Sequence, residues 1–338
     1  MANIELIEKL SNAIGVSGFE DEVIEILKEE VKGYIDSFEV DPLKNFIVTK
    51  KFESPKPIVM LNAHMDEVGL LVKGFTSEGF IKFTKIGGID DRVLLGKRVV
   101  IGKNKVKGVI ATVPIHLQEQ SEQKSVERAK DMVIDIGVKT KEEAEKLVSL
   151  GDYIGFDVKF ERLSNDTFIG KALDDRLGCS LVSEILKEKF NFPIVALFSS
   201  QEEIGLRGAT VGAFKYTPQI SITLEGTISA DFPDVAEHEK CTSIGNGPVI
   251  TIKDNSVITD HELRNKLVKI AEKFKIPYQF KQVFVGGTDS SRIQLTKGGV
   301  RVLVVAVPVR YIHSPVSLFN INDYENTKRL IIEFLRSL

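Results

Sequence analysis

The chain has 338 residues, 43% hydrophobic and 28% charged, a globular composition with enough apolar mass for a large core or two domains. Lys+Arg number 45 against 48 Asp+Glu, and a net charge of -3 leaves no electrostatic footprint for nucleic acid or an anionic membrane. No apolar run approaches the roughly 18–20 residues that span a bilayer, and Cys179 and Cys241 form neither a zinc-type pair nor a disulfide framework, so a cytoplasmic protein with reduced thiols is expected.

The N-terminal MANIELIEKL is amphipathic and acidic, unlike a secretory leader. Apolar residues at helical spacing place a first helix over 4–13, and Ser17 with Glu20 has the spacing of a capping box for a second helix running to about Val31. Strands follow over 38–50 and 57–61, and the second leads into NAHMDEVG, an ionisable cluster with His64 and Asp66.

From 68 to 163 the texture changes. Short segments such as GLLVKGF, FIKFTKI, KRVVIG, KGVIATV and YIGFDVKF alternate with Gly, Asn and Lys turns, the signature of a small β-barrel or sandwich. Within it, 117–130 is polar and reads as a mobile loop, and Thr140 with Glu143 caps a short helix. Because α/β texture precedes and follows this block, it reads as an insertion. The expected fold class is therefore α/β: a mostly parallel-sheet domain made of 1–67 and 164–338, interrupted at 68–163 by a β-barrel-like domain.

The α/β pattern resumes with IGKALDDR, which leads into a helix ending near 190. The buried run FPIVALFSSQEEIG then delivers Glu202 and Glu203 to a strand end. A helix over 209–214 and a strand over 219–224 ending at Glu225 come next. Beyond them lie a strand over 247–252, a helix over 260–274, a strand over 278–285 closed by Gly286-Gly287-Thr288-Asp289, and a short helix over 290–295. The glycine pair reads as close backbone packing, with an anion-binding turn as the alternative. Val300 to Val309 is the most apolar strand and runs into Arg310-Tyr311-Ile312-His313. Asn322 with Glu325 caps a last amphipathic helix.

Strand ends and one helix start thus carry His64 with Asp66, Asp174 with Asp175, Glu202 with Glu203, Glu225, and His313. Each one alone is an unremarkable polar residue. Together they are candidates for one site, because successive ends of parallel strands lie on one edge of a sheet and ligands bind beyond the carboxyl ends. Imidazole and carboxylate without thiolate suit Zn²⁺, Co²⁺ or Mn²⁺. Two histidines and at least three carboxylates exceed what one tetrahedral ion needs, which makes two divalent ions the economical reading. His261 reads as solvated, while His116 and His238 carry no such context.

The segments AHMDEVG (63–69), ALDDR (172–176), SQEEIG (200–205), VGGTDS (285–290) and RYIHSP (310–315) resemble those of the tetrahedral, dodecameric metallo-aminopeptidases related to glutamyl aminopeptidase, some of which carry an endoglucanase label. The resemblance covers essentially the whole chain. It implies Asp174 as a carboxylate bridging two metals, with His64 and Glu225 completing one site and Glu203 and His313 the other. It also implies Glu202 as general base and Asp66 as the carboxylate that orients His64. Many family members have Asp where this chain has Glu225, a longer arm that still offers an oxygen ligand. By the same resemblance the inserted domain would dimerise the chain, dimers would build a hollow dodecamer, and the substrates would be short peptides trimmed from the N-terminus. Another di-metal amidohydrolase or a carboxypeptidase could use the same centre. A glycosidase built on a carboxylate pair would leave two metal-type histidines unexplained in a chain with no Trp.

Overall fold

The computed structural model describes residues 2–51, 58–118, 124–164, 166–236 and 239–338. His238, the start of the strand expected from 57, and 119–123 of the stretch read as a mobile loop lie outside these residues.

Two helices open the chain, α1 (Ile4–Asn12) and α2 (Asp21–Val31). Asn3 caps α1 by accepting from the Leu6 N–H, but the Ser17/Glu20 capping box does not form: α2 has no side-chain cap, and both side chains turn elsewhere. The run expected as one strand over 38–50 is a hairpin, β1 (Ser37–Val40) and β2 (Phe46–Lys50), because Asp41 turns the chain by accepting from the Leu43 and Asn45 N–H groups. Strand β3 (Val59–His64) is buried along its whole length and ends on His64.

Five antiparallel strands follow: β4 (Gly69–Phe75), β5 (Ile81–Ile86), β6 (Arg98–Ile101), β7 (Val106–Ala111) and β8 (Val133–Asp135). After helix α3 (Lys141–Leu147), capped by Thr140 as its spacing requires, β9 (Tyr153–Phe156) closes them into a six-stranded barrel. Alternate residues such as Leu70, Val72, Ile81, Phe83, Ile110 and Ile134 fill its interior. Strand β10 (Glu161–Ser164) already belongs to the large sheet, paired with β11 (Thr167–Gly170).

Helix α4 (Leu173–Ile185) begins irregularly, with Asp174 and Asp175 outside helical φ/ψ, and ends short of 190. Then come β12 (Ile194–Ser199), α5 (Arg207–Tyr216), β13 (Ile220–Ile228), the short β14 (Val249–Ile250), α6 (His261–Phe274), the short β15 (Gln279–Phe280), α7 (Ser290–Gln294), β16 (Arg301–Arg310), β17 (Ser317–Asn320) and α8 (Ile321–Arg336). The α8 cap is Asn320, two residues before the expected Asn322.

The large sheet runs β1-β2-β12-β3-β13-β16-β17-β11-β10, with β14 and β15 attached beside β16. Its centre, β12-β3-β13-β16, is parallel. Leu61, Ala196, Leu224 and Val305 face one layer of helices with α1, α4 and α8, while Met60, Val195 and Val304 face α5 and α7. A strand buried on both faces has no reason to alternate polar and apolar residues, which explains the unbroken apolar runs in the sequence. The fold is α/β with a mostly parallel sheet plus a closed β-barrel, as the sequence pattern predicts.

Candidate metal centre

Register brings the site together. Ser199 pairs with His64 across β12 and β3, and Thr223 pairs with Asn62 across β3 and β13, which sets Glu225 level with His64 two residues on. The β3–β13 ladder stops at that pair, and the gap opens where the side chains meet. Glu225 lies inside β13, which runs on to Ile228, not at the strand end the sequence suggests.

Asp174 sits between the two histidines. One of its oxygens is 3.2 Å from His64 Nε2, the other 3.6 Å from His313 Nε2. Both rings turn their other nitrogen to a backbone carbonyl, His64 Nδ1 to Asp66 O at 3.1 Å and His313 Nδ1 to Gly88 O at 2.9 Å. A ring that donates from Nδ1 presents a lone pair at Nε2, the tautomer that ligates a cation. Glu203 reaches His313 Nε2 at 3.4 Å. Among the described residues, potential ligand atoms gather within 4.8 Å of one another in three sets: His64, Asp174 and Glu225; Asp174, Glu203 and His313; and His64, Glu202 and Glu203. Asp174 belongs to the first two, and those two need no Glu202.

The carboxylates outnumber the positive charges that face them. Burial raises the Glu202 and Glu225 pKa values well above the ordinary range, and burial together with Asp174 raises Glu203 to about 7. Burial opposes charge on His313, but its hydrogen bond to Asp174 and the field of Glu203 outweigh that and lift it to about 9. Asp174 goes the other way: both histidines overcome its burial and hold it low. Glu225 Oε1 is buried without a hydrogen-bond partner among the described residues. A cluster of this composition calls for added cations.

Asp66 is fully buried and organises the glutamate turn. Its Oδ1 accepts from the Glu202 N–H at 2.9 Å, and its Oδ2 from the Glu203 N–H at 3.1 Å and Ser17 Oγ at 2.6 Å. The His64 ring lies 3.5 Å from Oδ1, farther than from the Asp66 carbonyl. Asp175 accepts from the His64 and Gly178 N–H groups, and its charge adds to the burial that raises Glu225.

The sequence did not reveal the supports beneath these residues. Glu20 accepts from the Gly18 and Gln201 N–H groups and from Ser200 Oγ at 2.6 Å, so the pair spaced like a capping box instead braces the turn that carries Glu202. Glu67 takes Lys171 Nζ at 2.7 Å, Arg176 Nη2 at 3.3 Å and the Gly15 N–H at 2.9 Å, all buried. The only trace of these roles in the sequence is charge inside otherwise apolar context. His116 and His261 are exposed and stand apart from the cluster.

The M42 glutamyl aminopeptidase family matches residues 44–330. A protein of Acetivibrio thermocellus provisionally named an aminopeptidase is 39% identical over 97% of both chains. The lysyl aminopeptidase of Pyrococcus furiosus is 31% identical over 100% of this chain and 98% of its own. Among solved structures, the TET aminopeptidase of the marine sediment archaeon Thaumarchaeota archaeon SCGC AB-539-E09 superposes with a TM-score of 0.96 at 36% identity, over 99% of this chain and 96% of that one. The TET1 peptidase of Pyrococcus horikoshii, which can assemble into a tetrahedron or a large octahedral shell, gives 0.88 at 36% identity over 99% of both.

Proposed function

The chain belongs to the M42 glutamyl aminopeptidase family, and on that premise we propose that it releases single N-terminal residues from short peptides with two divalent ions bound in its carboxylate–histidine cluster. The observation that carries this reading is Asp174, whose two oxygens face two different histidines. His64 and Glu225 would hold one ion with Asp174, and Glu203 and His313 the other. The donors fit Zn²⁺, Co²⁺ or Mn²⁺, and the unpartnered Glu225 Oε1 is an acceptor awaiting a cation. Glu at 225 still puts its oxygen level with His64.

Bound divalent ions supply Lewis-acid polarisation of a carbonyl and a hydrolytic water that ionises near neutral pH. The chain contributes the proton transfers. Glu202, left over from the two sets that share Asp174, removes a proton from the attacking water onto its carboxylate and delivers it to the leaving amine. Asp66 holds the Glu202 and Glu203 backbone so that base and ligand keep their relative positions.

The barrel would serve assembly. It exposes Val113, Ile115, Leu117 and Val126, an apolar group suited to another copy of the chain, and the P. horikoshii TET1 peptidase, which can assemble into a tetrahedron or a large octahedral shell, sets the precedent for a closed assembly such as a dodecamer of dimers here. The catalytic domain would be 1–67 with 164–338 and the assembly domain 68–163, except that the pairing of β10 with β11 counts 161–163 with the catalytic sheet, and the compartment would be the cytoplasm.

The deciding experiment is hydrolysis of free and N-acetylated short peptides with and without chelator, and with Zn²⁺ or Co²⁺ restored. Stepwise release from free peptides alone, abolished by chelation and rescued by metal, is the expected result. Hydrolysis that ignores the chelator would sink the metal reading, and cleavage of blocked peptides would sink the exopeptidase reading. Light scattering of the intact protein tests the assembly, which a monomer would exclude.

A further inference from the structure

The two histidines of the cluster are held from different sides. His64 Nδ1 turns to the carbonyl of Asp66, two residues along its own chain, and its side chain is only 2% exposed, so packing within the α/β domain also fixes the ring. The His313 side chain is 39% exposed, and its Nδ1 turns at 2.9 Å to Gly88 O, a carbonyl of the inserted barrel. Gly88 lies just after β5, in a turn that reaches both members of the Glu203–His313 pair. A β-carbon on Gly88 would stand 3.3 Å from His313 Nδ1, and one on Gly87 would stand 3.4 Å from the Glu203 β-carbon. The turn is anchored in the barrel: Ile89 is buried in its interior, and Lys85 Nζ donates to Ile89 O at 2.8 Å and to Asp91 Oδ1 at 2.6 Å. The barrel in turn is seated on the α/β domain, where Ile14 and Val16 pack with Val100 and Tyr153. Strands approach so closely there that a β-carbon on Gly155 would come within 2.8 Å of Ile14, and one on Gly69 within 2.5 Å of Val16. Contacts this tight leave the joint little room to slide.

We propose that the inserted barrel is part of the metal centre, and that its Gly87–Gly88 turn is the positioning element for the ion held by Glu203 and His313. The inference rests on the two-ion reading. An imidazole binds a cation along the lone pair of one ring nitrogen, so the orientation of the ring sets affinity, and the partner of the other nitrogen sets the orientation. Burial would keep the His64 ring in place even without its carbonyl partner. His313 has no such enclosure, and its ring depends on the barrel carbonyl. Among the described residues, none from the barrel hydrogen-bonds to His64, Asp174 or Glu225. The two ions are therefore unequal, and a disturbance of the barrel turn reaches one and spares the other.

The test measures Zn²⁺ uptake by the chelated full-length protein, using calorimetry against a competing chelator, with the visible absorption of the Co²⁺ form as a second readout. The wild type should take up two ions. Gly88→Ala sets a methyl against His313 Nδ1, and Lys85→Met frees the turn from its anchor without touching a ligand. Both variants should weaken one ion by about 10- to 100-fold, the usual cost of losing a partner that orients a metal-bound histidine, and leave the other unchanged. Peptide turnover should fall with that ion and return as free Zn²⁺ is raised. Gly74→Ala, at a barrel glycine where an added β-carbon meets nothing within 4 Å, should match the wild type. Unchanged affinities in Gly88→Ala overturn the proposal, and so does equal weakening of both ions, the mark of a general loosening. If Gly88→Ala weakens one ion and Lys85→Met weakens none, the effect is a steric clash and the proposal falls. Should Gly88→Ala not fold, Lys85→Met decides on the same terms. A wild type that takes up a single ion refutes the two-ion reading instead, and the loss or survival of that ion in Lys85→Met still decides the role of the turn.

Discussion

Asp174 and Asp66 show how one carboxylate can serve several partners. Asp174 divides its oxygens between two histidines, while Asp66 spends both of its oxygens on backbone N–H groups and a serine. Among the described residues, their neighbour Glu202 makes no such side-chain commitment beyond its place in the cluster, which frees it for proton transfer. Glu202→Gln should therefore keep its metal content and its melting temperature yet lose about 10²- to 10⁴-fold in kcat; metal analysis and rate measurements on one preparation check this, and full activity would remove Glu202 from the base role. Asp66→Asn should behave differently. It turns one acceptor into an NH₂ group facing an N–H or a hydroxyl, so about 1–3 kcal/mol of stability should be lost along with activity. Unchanged denaturation in urea would count against its role in holding the glutamate turn.

At the scale of elements, the site depends on three segments that are distant in sequence: the turn between α1 and α2, the residues after β3, and the start of α4. The buried Lys171–Glu67–Arg176 triad ties them together, since Glu67 also takes the Gly15 N–H and Arg176 Nε donates to Met65 O at 2.8 Å. Burial alone would strip charge from the lysine, and it lowers the Lys171 pKa to about 8 despite Glu67. Removing the central anion leaves two buried cations unpaired, so Glu67→Gln should cost about 3–5 kcal/mol in equilibrium unfolding. The double variant Glu67→Leu/Lys171→Met should recover part of that loss, because it leaves fewer charges to bury. If Glu67→Gln unfolds like the wild type, the triad does not secure these segments.

For the whole molecule, cations and fold should be linked. The cluster holds several carboxyls in a place where burial resists their charge, and bound cations remove that penalty only in the native state. With metal at about 100 times its Kd, each site should add about 2.7 kcal/mol. For a chain of this length that is a rise of about 4 °C per site. Scanning calorimetry of the chelated and reloaded protein measures the shift, and coincident melting curves would argue against ions in the cluster. No helix among the described residues is long and apolar enough to cross a membrane.

Much of this was legible in the chain. The doubly buried strands, the change of texture at the barrel, and the acids and histidines after apolar runs all follow from short-range pattern, because burial on both faces or on one writes itself into neighbouring residues. The shared motifs added the identities of candidate ligands. What pattern did not reveal depends on contacts between distant segments. Ser17 and Glu20 satisfy a local capping rule, yet Asp66 and Ser200, brought close only by the fold, offer their side chains better-placed partners. The same holds for Lys281, which reads as one charge near a strand and becomes a buried ammonium in a cavity wall only when β13, the Gly286 turn and the segment after β16 close around it. By itself the sequence determined the fold class, the main helices and buried strands, and the chemical types available to the site. The tertiary structure alone decided which groups share a hydrogen bond, because those distances depend on strand register and loop closure across the whole sheet.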